Sequence, residues 1–109
     1  MNDRELLESA AKAAGYKLER FISALYPYAT IYTVKGKQWD PLADDGDALR
    51  LAVELRISVS IGKDVVEAHI GQSYGKLEAS RSNLLSATRR AIVRAAAEIG
   101  RQMQEEGAA

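Results

Sequence analysis

Apolar positions along this chain alternate between helical and strand-like spacing, and the changes of period mark the elements. Leu6, Leu7, Ala10, Ala11 and Ala14 recur at steps of three and four, which makes one stripe of a helix. Asn2 stands at the N-cap position with Glu5 three residues later, a capping-box pair, and Gly15 supplies a left-handed stop. The first helix is predicted over about residues 3 to 14. Aromatic and β-branched residues then dominate residues 16 to 38, with turn signals at Tyr26-Pro27-Tyr28 and Lys35-Gly36-Lys37. Two strands, about 18 to 25 and 29 to 34, are predicted to form a hairpin.

A second helix follows Trp39-Asp40-Pro41. Asp44, Asp45 and Asp47 lie before and within its first turn, where carboxylates satisfy free N–H groups and oppose the positive end of the helix dipole. Its buried side is expected at Leu49, Ala52 and Val53, extended by Leu55. Residues Arg56 to Ile61 alternate polar and apolar, the signature of a half-buried strand. Gly62-Lys63 suits a two-residue bend, which pairs Ile61 with Asp64, Val59 with Val66 and Ile57 with Ala68. That register puts Ile57, Val59, Ile61, Val66, Ala68 and Ile70 on one face. Arg56, Ser58, Ser60, Val65, Glu67 and His69 take the other, and His69 faces Arg56. A short edge strand is expected over 74 to 79. The last helix, about 84 to 105 and capped by Ser82 or Asn83, carries a stripe of Leu85, Thr88, Ile92, Ala96, Ile99 and Met103. Residues 107 to 109 are expected to fray.

The order α-β-β-α-β-β-(β)-α with local hairpins predicts an α+β fold. The expected form is a single-domain α/β/α layered sandwich over residues 1 to 106, with three helices and a mainly antiparallel sheet of four or five strands. Length agrees, since 109 residues make one domain. Lys+Arg and Asp+Glu both number 15, so the chain lacks the basic excess of a protein that lives on phosphate contacts. It has no cysteine, which removes disulfides, thiolate catalysis and Cys-ligated zinc. The polar start Met1-Asn2-Asp3-Arg4-Glu5 is no secretory signal, and no run approaches the ~18 apolar residues of a membrane span. A cytoplasmic protein without membrane contact is expected.

Three blocks carry a resemblance when taken together: Met1 to Leu7, Trp39 to Ile57, and Ala87 to Gly100. In order and wording they resemble small tailed-phage and prophage proteins of the phage ABA-sandwich domain family, over about half the chain. The resemblance implies an α/β/α sandwich made in the cytoplasm of an infected or lysogenic bacterium. It brings no general activity and no catalytic residues. The segments between the blocks, about 16 to 38 and 62 to 85, match nothing in it and are where a private function would lie.

Few residues offer chemistry. The acidic run Asp40, Asp44, Asp45 and Asp47 lacks the spacing of a calcium loop and reads as capping. His69 is the sole histidine, without a second ligand or base in any motif. With Arg56 and Glu67 it defines a polar sheet face that can take an anion. Arg90, Arg94 and Arg101 fall within about 40° of one another around the last helix, a row that can meet phosphates, although Glu98 and Glu105 stand beside it. The aromatic cluster Phe21, Tyr26, Tyr28 and Tyr32 is the feature least suited to a core, and tyrosine is common at protein interfaces. No phosphate-cradling glycine motif and no nucleophile elbow occurs.

The function expected from these residues is that of a small non-enzymatic phage accessory protein. It binds a host or phage protein through Phe21, Tyr26, Tyr28 and Tyr32 and interferes with a bacterial defence or regulatory complex. Two alternatives stay open: a homo-oligomeric sequestrant of a small anionic or nucleotide ligand, using Arg56, Glu67, His69 or the helix arginines, and a weak DNA-binding module built on those arginines. No cofactor or metal is expected, and the alanines of the last helix leave room for a homodimer.

Overall fold

In the computed structural model, which describes residues 1–22, 30–70, 73–79 and 83–108, the capping box at the start of the chain is complete. The Asn2 side chain accepts from the Glu5 amide at 2.8 Å, and the Glu5 carboxylate accepts from the Asn2 amide at 3.4 Å. These bonds satisfy N–H groups that a helix start leaves free. Helix α1 (Asp3–Ala14) follows, and Gly15 ends it at φ 75°. Strands β1 (Leu18–Ile22), β2 (Thr30–Val34) and β3 (Lys37–Gln38) form an antiparallel sheet in the order β1-β2-β3. Lys35 and Gly36 both take positive φ, 53° and 80°, in the bend between Val34 and Lys37. Two left-handed residues in a two-residue bend make a type I′ hairpin, the turn whose twist matches that of the strands.

The acidic run organises the next helix. Asp44 caps α2 (Asp45–Leu55) by accepting from the Asp47 amide at 2.8 Å. Asp47 in turn accepts from the Asp40 amide at 2.9 Å, and Asp40 from the Leu42 amide at 3.1 Å. The face that α2 buries is Ala48, Leu51 and Ala52, and Leu49 and Val53 stand 63% and 69% exposed. This corrects the expected stripe. Positions 48, 51, 52 and 55 also follow helical spacing, and two small alanines let the backbone approach the core, where the bulkier Leu49 and Val53 turn outward. Arg56 ends α2 in the left-handed conformation, φ 55°.

Strands β4 (Ile57–Ile61), β5 (Val65–Ile70) and β6 (Ser73–Ala79) form a second antiparallel sheet. The β4–β5 register differs from expectation by two residues: Ile61 pairs with Val66, Val59 with Ala68 and Ile57 with Ile70. The bend is therefore four residues long, with the Gly62 amide donating to the Val65 carbonyl at 2.9 Å. A shift of two keeps every side chain on its face, so Ile57, Val66 and Ala68 are buried as expected. Ile61, beside the bend, is exposed. Ser58, not Arg56, faces His69, because Arg56 belongs to the end of α2 and stands outside the ladder.

Helix α3 (Leu84–Ala108) is capped by Asn83, whose side chain accepts from the Ser86 amide at 2.9 Å. It runs beyond the expected end, through Gly107 to Ala108. It touches both other helices and all three strands of the second sheet. Ala87, Ala91, Ile92, Val93, Ala95, Ala96 and Ala97 are buried, more than one stripe of the helix, as befits an element with neighbours on several sides. Leu85 and Met103, expected in the stripe, are exposed because they lie toward the two ends, outside the run of buried positions from Ala87 to Gly100. The first sheet joins the same core through Tyr32, the adjoining Trp39, Leu18 and Val34. The α+β class, the three helices, the antiparallel pairing and the element order match the expectation, with the strands divided between two sheets.

Candidate functional site

The β1–β2 hairpin places the aromatic residues singled out in the sequence. Consecutive residues of a strand point to opposite faces, so a sheet covered on one side buries one of each pair. At the end of β1 neither is buried: Phe21 is 50% exposed and Ile22 67%. Tyr26 and Tyr28 lie outside the described residues. Tyr32 is a different case. Only 6% of it is exposed, so its ring belongs to the core and not to an outward aromatic surface. The physical reason is register: Arg20 faces Tyr32, and Leu18 faces Val34, on the sheet side that meets the core.

A groove of about 440 Å³ runs between that sheet face and α1. Arg4, Glu8 and Lys12 enter it from successive turns of α1, and Leu18, Arg20 and Tyr32 from the strands. Arg4 and Glu8 form an i,i+4 ion pair at 3.2 Å, both well exposed. Burial pushes the Tyr32 phenol above its ordinary value, Glu8 adds to the rise, and Arg4 and Arg20 oppose it. Arg20 stands near the phenol without hydrogen-bond geometry: the Tyr32 hydroxyl is shut off from solvent and has no hydrogen-bond partner among the described residues. The sequence pattern carries a signal for this groove. Positions 4, 8 and 12 share a helix face, and positions 18 and 20 share a strand face.

Tyr16, beside the groove, stands edge-on to Trp39, with ring centroids 5.7 Å apart and planes at 87°. Its phenol donates to the Glu54 carboxylate, tying the first loop to α2. Burial, with Glu54 second, pushes that phenol up to about 12.

Glu67 and His69 share the uncovered face of the second sheet, as expected, with His69 Nε2 2.8 Å from Glu67 Oε2. Arg56 is not brought opposite them. Arg90, Arg94 and Arg101 do line one groove, with Met1, Leu6 and Glu98. Their charge is largely answered there. Arg90 pairs with Asp3 at 3.0 Å, and Arg101 pairs with both Glu98 and Glu105. Arg89, outside the expected arginine row, holds α3 to the start of α2. Its Nε donates to the Leu42 carbonyl at 2.8 Å and its guanidinium pairs with Asp45 at 2.6 Å. Its signal was its place on the helix face of Ile92, Val93 and Ala96, where an arginine needs a partner. Among the described residues no His/Cys/Asp/Glu group is arranged to hold a metal ion, and no helix is long and apolar enough to cross a membrane. No protein family, curated protein or solved structure matches the chain.

Proposed function

We propose that this chain is a non-enzymatic binding protein that docks on a partner protein through the outer part of its β1–β2 hairpin. The observation that carries this reading is the exposure of both Phe21 and Ile22, on opposite faces of an edge strand. An uncovered edge offers unpaired backbone N–H and C=O groups together with apolar side chains, and folded proteins ordinarily blunt or cover such edges. Tyr26 and Tyr28, in the segment joining β1 to β2, belong to the same proposed surface. The resemblance of the three sequence blocks to phage ABA-sandwich proteins supports a phage or prophage accessory role in the bacterial cytoplasm, with a host defence or regulatory complex as the target.

The test is affinity purification from the bacterial host, comparing wild type with a Phe21→Ser, Ile22→Ser double variant and a Tyr26→Ala, Tyr28→Ala double variant. A protein retained by wild type and lost with both variants, each still folded, is the expected result. Identical partner profiles for all three chains would remove the hairpin from consideration. DNA binding through the α3 arginines is the weaker reading, since Arg90 and Arg101 already hold carboxylates.

A further inference from the structure

Apart from the partner surface, we infer that the groove between α1 and the β1–β2 hairpin is a binding site for a small dianionic oxyanion of the phosphate or phosphate-monoester class. Two independent observations meet there. The first is charge: Arg4, Lys12 and Arg20 line the groove against the single carboxylate of Glu8. Glu8 is already answered by Arg4, and Lys12 and Arg20 have no ion pair among the described residues. In a chain with equal numbers of acidic and basic residues, two unanswered cations on facing elements are a local excess.

The second is the Tyr32 hydroxyl. It belongs to a residue more than nine-tenths buried, in the wall of this groove, and no described residue pairs with it. A buried donor without an acceptor is rare in folded proteins and marks a place where a partner is missing. Arg20 sits directly across the ladder from Tyr32, so a ligand oxygen held by the guanidinium can take the phenol O–H once the side chains that close the hydroxyl off from solvent shift aside. The Arg4–Glu8 pair is a helix-surface contact that contributes little, so its opening to admit the ligand is easy and frees Arg4 as a third cation. Leu18 gives the wall an apolar patch for the ester group.

The experiment is a nuclear magnetic resonance titration of the full chain with inorganic phosphate and, separately, phenyl phosphate, at constant ionic strength. Wild type is expected to show saturable shifts at the α1 and β1–β2 amides. Tyr32→Phe and Arg20→Gln are each expected to weaken binding about tenfold or more, the loss of one hydrogen bond to a charged acceptor. Lys63→Gln, at the far bend, should bind as wild type does. Arg20 and Lys63 are exposed, so their variants test the site without a change in the core. Equal affinity in wild type, Tyr32→Phe and Arg20→Gln would overturn the proposal. So would non-saturable shifts with both ligands, or acetate binding as tightly as phosphate.

Discussion

A methyl group built on Gly100 would lie 1.9 Å from the Ser9 carbonyl oxygen and 2.8 Å from its carbon. Those are backbone atoms, so no side-chain rotation relieves the clash, and α1 rests on α3 only because position 100 has no Cβ. In an open helix Gly→Ala stabilises by about 1 kcal/mol. Here the overpacking term wins, and Gly100→Ala is expected to destabilise by about 1–3 kcal/mol in urea unfolding. Unchanged stability would mean the two helices are farther apart. Tyr16 makes a second prediction. Its folded value, about 12, lies above the ordinary 10.0, so folding favours the protonated phenol. The stability it contributes is full below about pH 10 and is lost as pH rises from there through about 12. Ultraviolet titration should show a phenolate component near 12 that Tyr16→Phe removes. A Tyr16→Phe profile that keeps that component would assign the shift elsewhere.

Within α2 the contrast between neighbours is testable. Leu51 is fully buried and Leu49 mostly exposed. Leu51→Ala is expected to cost about 2–5 kcal/mol, whereas Leu49→Gln should stay within about 0.5 kcal/mol of wild type. A reversal would restore the stripe read from sequence. Arg89 joins α3 to the start of α2, and Arg89→Ala leaves the Leu42 carbonyl without its donor. A loss of about 1–3 kcal/mol is expected, with Arg89→Lys recovering part of it. The elements themselves were legible in the sequence because their signals are local. Asn2 with Glu5, Gly15, Asp44 and the alternation from Ile57 to Ile61 each act within a few residues. What escaped depends on partners distant in the chain. Which side of α2 is inward is decided by α3, and the β4–β5 register by a choice between bends that leave burial unchanged. The groove escaped for the same reason, since Tyr32 and Arg20 meet Arg4 and Lys12 only after the hairpin has folded over α1.

Across the molecule the two sheets are held unequally. In β5, Val66 and Ala68 are completely buried, whereas four of the five residues of β1 are exposed. Local opening follows such differences in buried contact. Hydrogen exchange should therefore be faster at the β1–β2 amides than at the β4–β5 amides, and equal protection would contradict this division. Helix α3, by contrast, is the shared floor of α1, α2 and the second sheet, and it comes after all of them in the chain. A chain that stops at residue 83 thus has α1, α2 and the second sheet without the helix they pack on. Folding of these elements depends on that helix, so a truncated product lacking residues 84–108 is expected to remain open to proteases and chaperones, as limited proteolysis beside the intact chain would show.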